Sequence, residues 1–535
     1  MACAEVAQNT PSIPTAHDAD ADADALKLAS MGYQQDLKRN FSLWSVLGVA
    51  FSLTNSWFGV SASMVTGINS GGPVLLIYGI LLIALITSCA AISLSELVSM
   101  MPNAAGQSFW AAELAPSRYA KFAGYSTGCF AWVGSLFTTS SVALAMATAI
   151  VGLYQLTHAV FEVKAWHVIV VYQALNAVSF LFNIYDKVLP TIAKATLYIS
   201  LLSFAILLIT VPSFAPSHNS PKFVFATFIN NTGWQNNGVA FIIGLMNPEW
   251  AFACLDCATH LAEEVHDQKR RFLLPSAAPI QDLESVTFTA TGVPIIEIFR
   301  QATSNTGACL LESLIILTGI GCLIACHTWQ SRLCWSFARD AGLPGHRWLR
   351  QVHPTLGVPL MAHLASCVLV ALVGLLYSAS TAAFSSTVTA CIVLLYVSYS
   401  IPVIALLMRG RSRVQHGPFW LGNKPGFIAN LVLLTWTGFI IVVYSFPTTM
   451  PATPGSMNYV SALYLALVLA MSLDWFVRAR WEFRGHLKAE AKSGGDVAMI
   501  GMRAESSSGC VLTGEAAGHR SAGGNLAQTN DNEAP

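Results

Sequence analysis

The chain has 535 residues, 54% of them apolar and only 10% charged, with a mean hydropathy of +0.55. Soluble domains carry about 25% charged residues, so this composition excludes a water-solvated globule of such length. Lysine plus arginine and aspartate plus glutamate balance at 28 each, and the basic residues fall in short clusters between apolar runs, which argues for a lipid partner and against nucleic acid.

Residues 1–37 are polar, with Asp18 to Asp24 alternating with alanine, and are expected to form a disordered cytoplasmic tail. No basic segment followed by a short apolar run marks a cleaved signal, so the first span would serve as the signal itself. A membrane-crossing helix needs about 20 mostly apolar residues, because in lipid the backbone must satisfy its own hydrogen bonds. Eleven such stretches follow, at about 42–66, 73–101, 122–152, 166–184, 190–213, 237–262, 307–335, 359–378, 383–408, 426–446 and 458–477. Residues 485–535, rich in Gly, Ser, Ala and Asn, read as a second disordered tail, leaving 38–484 as the membrane domain. Most of the twelve cysteines lie inside apolar runs, where a thiol behaves as a small hydrophobe. Cys254 and Cys257 have CxxC spacing, but no second Cys or His pair completes a zinc set, so no metal and no cofactor are expected.

Lys and Arg accumulate on the cytoplasmic side. Lys38 and Arg39 place the N-terminus inside, and Arg118 with Lys121, Lys187, and Lys269 to Arg271 follow inside in turn. The loop before the sixth span is then outside, and its Asn230-Asn231-Thr232 is an N-glycosylation sequon with Asn230 as acceptor. Beyond Arg271 the parity fails. The next span would carry Arg332, Arg339, Arg347, Arg350 and then Arg409 to Arg413 outside, unless a crossing lies within Phe272–Ala290. That stretch holds two prolines, Asp282 and Glu284, and makes a poor span.

The segment GLMNPEWAFACLDCATHLAEEV, Gly244 to Val265, resembles the sixth span of fungal permeases of the amino acid and choline transporter family, within the amino acid, polyamine and organocation superfamily. SLTNSWFGVSASMVTGINSGGPVLLIYG (Ser52 to Gly79), SLSELVSMMPNAAGQSFWAAELAP (Ser93 to Pro116) and TGIGCLIACHTWQSRLCWSFARDAGLPG (Thr318 to Gly345) support the likeness, which is to choline- and GABA-permease-like members. The resemblance implies an all-α polytopic fold. Ten spans would form two inverted five-helix repeats, followed by two C-terminal helices, with substrate bound at the midplane. The family's seventh span is missing here, at the same place as the parity gap. Two motif positions also depart from the family, with His266 where it usually has proline and Ala105-Gly106 where it has two glycines. Residues 272–306 are expected to be irregular or partly helical, bridging an empty groove, and transport to be poor.

Transporters of this architecture bind substrate where the first and sixth spans unwind. In the first span the candidates are Trp57, Phe58, Gly59 and Ser61, with the amides of Gly59, Val60 and Ser61 freed toward the substrate; the alternative is a glycine that lets two helices pack closely. In the sixth, Asn247-Pro248 is the expected break, followed by Glu249, Trp250 and Phe252. A carboxylate beside aromatic faces suits an ammonium group, and a Glu paired with a buried polar group is the competing reading. Asp256, on Glu249's helical face, reads as a packing or gating group, and Glu263 and Glu264 as a cytoplasmic latch toward Lys269 to Arg271. Lys194 either exchanges a proton during transport or snorkels to the interface. The expectation is a multi-pass plasma-membrane permease for choline, an amino acid or a related small nitrogenous solute, driven by protons. A transport-inactive sensor or a defective member is the alternative. No Ser-His-Asp order, Walker loop or HExxH helix supports an enzyme, and the sequence leaves the oligomeric state open.

Overall fold

The computed structural model describes residues 28–29, 31–33, 36–37, 42–158, 160–185, 187–264 and 293–484. Among these, every regular element is helical. The first span is in three pieces, α1 (Leu43–Leu53), α2 (Ser56–Ala62) and α3 (Met64–Asn69). Next come α4 (Leu75–Met100), the short α5 (Gln107–Leu114), α6 (Ala120–Thr157), α7 (Ala165–Ile184) and α8 (Leu189–Phe214). A short α9 (Pro221–Ala226) leads to the sixth span, α10 (Asn237–Gly244) and α11 (Met246–Ala251), which ends in a 3-10 turn at Thr259–Glu264. After the undescribed residues follow α12 (Pro294–Ala302), α13 (Asn305–Arg339), α14 (His346–Leu349), α15 (Leu360–Ala379), α16 (Thr381–Arg409), α17 (Asn423–Val443) and α18 (Val460–Glu482).

Nine of these helices are long and apolar enough to cross a membrane, and the two interrupted spans account for the other two expected stretches. Polar residues are tolerated in α6 because their hydroxyls bond back to the preceding turn, as Thr138 does to Gly134 O at 2.9 Å and Ser140 to Leu136 O at 2.8 Å. The apolar windows of α16, α6 and α13 are 72%, 67% and 61% buried, against 11% for α18. Three helices therefore make the centre, and α18 lies at the periphery. Glycine lets helices approach where a side chain would collide, as Gly319 of α13 does beside Phe58 and Met146.

The contacts at helix ends sort the molecule into two faces. On one, Tyr33 donates to Asp340 at 2.9 Å, Arg478 to the carbonyls of Ala341 and Gly342 at 2.9 Å, Arg409 to Glu113 O at 2.7 Å, and Arg411 pairs with Glu96 at 2.9 Å. On the other, Asn231 bonds Asn69 through the backbone at 2.8 Å, Met450 bonds Thr232 at 2.7 Å, and Trp234 donates to Pro447 O at 3.1 Å. Arginines crowd the first face, and the Asn230 sequon lies on the other. Leu28, Tyr33 and Leu37, within the tail expected to be disordered, are buried against the arginine-rich face.

His260 contacts Ala104 on the arginine-rich side, whereas α12 packs on α3 and α8 near the opposite face. The described segments on either side, ending at Glu264 and beginning at Val293, thus lie toward opposite faces. The crossing expected within Phe272–Ala290, with His266, Lys269 to Arg271, Asp282 and Glu284, falls outside the described residues. Within the stretch expected to be irregular or partly helical, residues 294–302 form a buried helix, and α13 begins at Asn305 with the Gly307 amide capped by Ser304. Proline at the first position of α12 and a Ser N-cap on α13 are why.

Candidate functional site

The first span breaks at Thr54–Asn55, before the expected position. Ser56–Ala62 is helical, Gly59 N donates to Asn55 O at 2.9 Å and Ser63 N to Gly59 O at 3.2 Å, so the amide of Gly59 is spent inside α2 rather than freed. A Cβ on Gly59 would sit 2.7 Å from Ala251 Cα. This glycine brings α2 against α11, the close-packing alternative. Ser61 turns its hydroxyl back to Trp57 O at 2.8 Å. Trp57 donates to Ser200 of α8 at 2.9 Å, and Phe58 is buried beside Gly319.

The sixth span is interrupted twice, at Leu245, two residues before Asn247, and again beyond Ala251. Pro248 lies in the first turn of α11, where its missing N–H costs little, and the helix runs on through Glu249 and Trp250. It stops at Phe252, Cys254 adopts a φ of +67°, and an irregular stretch continues to Ala258. The helical-face argument linking Asp256 to Glu249 fails for that reason. Asn247 pins α11 to the first span, donating to Ser63 Oγ at 2.6 Å and Val60 O at 3.3 Å.

Glu249 is fully buried, and both carboxylate oxygens accept from Trp436 Nε1 of α17 at 3.1 Å. The Tyr396 hydroxyl of α16 lies beside it. No Lys, Arg or His pairs with it among the described residues. Trp250 donates to Ser141 of α6 at 3.0 Å, while Phe252 packs toward Leu245, Ile83 and Trp436. Trp57 and Trp250 thus face different neighbours, and the aromatic groups beside Glu249 are Trp436 and Tyr396. Those two escaped the sequence reading because they stand in distant spans, marked only as aromatics in mid-helix.

Asp256, equally buried, is held from three sides, by Gln107 Nε2 at 2.6 Å, Tyr399 OH at 2.7 Å and His260 Nε2 at 3.1 Å. His260 Nδ1 lies 2.7 Å from Ala104 O. Glu263 and Glu264 follow in the 3-10 turn, and their basic counterparts fall outside the described residues. Lys194 is exposed, a turn into α8, the position of a snorkelling lysine. Asn230 holds Thr232 through its side-chain oxygen at 2.6 Å. Another acid went unnoticed in the sequence. Glu312 of α13 is buried with neither carboxylate oxygen bonded among the described residues.

The family model described as amino acid permease matches residues 41–281 and 280–468. The chain is 49% identical over 491 residues to a choline transporter of Saccharomyces cerevisiae, covering 88% of this chain and 86% of that one. It is 33% identical to a 7-keto 8-aminopelargonic acid transporter of the same yeast, over 82% of this chain and 92% of the relative. An amino-acid permease of Arabidopsis thaliana is 27% identical over 87% and 95%.

Proposed function

The chain belongs to the amino acid permease family, and on that premise we propose that it is a secondary transporter of choline or a closely related small amine, working by alternating access and driven by a proton gradient. One observation carries the solute class. Glu249 is a buried carboxylate with aromatic hydrogen-bond donors but no protein cation among the described residues. A lone carboxylate in a low-dielectric interior is costly unless a cation joins it, and an ammonium solute is that cation. Aromatic faces nearby favour a quaternary ammonium over an amino acid's compact ammonium.

In this reading Asn247, Glu249, Trp250 and Phe252 meet the solute together with Trp57, Phe58, Gly59 and Ser61 of the first span. Asp256, Glu263 and Glu264 gate the cytoplasmic side. Lys194, exposed a turn into α8, anchors that helix at the interface, and Asn230 carries a glycan at the outer surface of the plasma membrane. Full burial of Glu249 corresponds to a conformation closed to both faces. The architecture is that of two inverted five-helix repeats and two further helices, with the seventh span absent. The two matched stretches of the family model meet at residues 280–281, where the gap was expected, and that supports the reading.

The test is ligand-induced thermal stabilisation of the purified 535-residue chain by choline, by neutral-side-chain amino acids and by a polyamine. Choline should raise the midpoint at the lowest concentration. Stabilisation by none of them would overturn the reading.

A further inference from the structure

His327 of α13 and His363 and Cys367 of α15 meet inside the bundle, all three buried, with ligand-capable atoms within 4.8 Å of one another. From this cluster we infer that the protein binds one soft monovalent metal ion, Cu⁺ in a reducing compartment, between α13 and α15. Cysteine spacing alone gave no metal, because these ligands come from two helices far apart in sequence.

The hydrogen bonds fix which ring atoms are available. His363 Nε2 lies 3.2 Å from Phe180 O, and a carbonyl only accepts, so that nitrogen carries the hydrogen and Nδ1 keeps its lone pair. A ring N–H given to a backbone carbonyl is the usual outer support of a metal-bound histidine. His327 Nδ1 receives the Gln330 amide at 3.2 Å and is likewise a lone-pair nitrogen. The Cys367 sulfur stands 3.3 Å from one Nδ1 and 3.7 Å from the other. It has a single S–H for two acceptors. Meanwhile His327 Nε2 is buried with no partner among the described residues.

The separations match a shared ion. A metal about 2.0 Å from an imidazole nitrogen and about 2.3 Å from a sulfur sets those atoms roughly 3.5 Å apart. The third edge, between the imidazoles, closes by rotation of one ring, and the Gln330 amide gives up its contact. Charge selects the ion. Thiolate and imidazoles together suit Cu⁺ and Zn²⁺. Binding of Cu⁺ with loss of the Cys367 proton to solvent leaves the site neutral before and after. Zn²⁺ would leave a net positive charge inside the bundle, with the buried Arg332 acting on His363 already. A bound ion clamps α13 to α15.

The test uses the full chain purified in detergent under ascorbate, titrated with Cu⁺ against a chromophoric Cu⁺ chelator, with X-ray absorption on the one-equivalent complex. One tight equivalent with two nitrogens and one sulfur around copper is expected. His327→Gln and Cys367→Ser should each lose that equivalent while their metal-free thermal midpoints stay near the parent value. A sulfur-only shell in the parent chain, which needs no variant to fold, would place copper on other cysteines and overturn the inference. So would full binding by both variants, or binding of Zn²⁺ but not Cu⁺.

Discussion

Glu249 and Asp256 are acids of the same interrupted span, both fully buried, yet their surroundings differ in kind. Asp256 has a histidine, a tyrosine and a glutamine from the same span, α16 and α5, and so serves as a knot that ties the unwound segment to the arginine-rich half of the bundle. Glu249 has an indole N–H and a hydroxyl nearby, and no cation among the described residues. The pair teaches that burial alone does not mark a binding acid: Glu249 combines the lack of a counterion with aromatic donors, a combination that neither Asp256 nor Glu312 has among the described residues. Glu96 makes the same point on the structural side, paired with Arg411 at 2.9 Å.

The comparison breaks most visibly at the knot. Asp256→Ala removes the acceptor shared by Gln107, Tyr399 and His260, and each buried partner left unsatisfied costs about 1–3 kcal/mol. A large drop in thermal midpoint and in the fraction of protein reaching the membrane is expected, and little change would mean the network is not structural. Next in size is the contact that holds the two broken spans together. Gly59→Ala forces a methyl against Ala251 at a point where a Cβ stands 2.7 Å from its Cα, and overpacking of this kind costs about 1–3 kcal/mol. Stability and choline affinity should fall together; a stable variant with normal affinity would show that α2 and α11 can part freely.

Smaller still is the effect of Trp436→Phe, which keeps an aromatic ring and deletes the indole N–H that donates to Glu249. Net loss of one such hydrogen bond amounts to about 0.5–1.5 kcal/mol, and a bound cation compensates part of it. The expected outcome is a modest fall in the midpoint of the ligand-free protein and a smaller deficit with choline bound. Equal deficits in both states would separate Trp436 from the ligand.

Much of the architecture was legible because apolar length and arginine placement are written locally. The spans around 122–152, 190–213 and 359–378 correspond to α6, α8 and α15, whereas the parity gap after Arg271 falls outside the described residues. The break positions were not legible. Pro248 signals a break but also suits a first helical turn, and nothing in the sequence marks Cys254 for a left-handed backbone. Glu249 was visible as a charge at membrane depth, whereas Trp436, Tyr396, Tyr399 and Gln107 become its neighbours or those of Asp256 only after distant helices pack. The same applies to His327, His363 and Cys367.

The central claim is that Glu249 exists for a cationic solute, and the most direct measurement compares equilibrium affinities for choline and for its uncharged carbon isostere, 3,3-dimethylbutanol, in the parent chain and in Glu249→Gln. Removing one partner of a buried charge pair costs about 2–5 kcal/mol, so the parent should prefer choline by roughly 30-fold or more. In Glu249→Gln that preference should collapse, the isostere's affinity should hardly change, and the ligand-free midpoint should hold or rise because a buried charge is gone. A variant that keeps the parent's preference for choline would contradict the account.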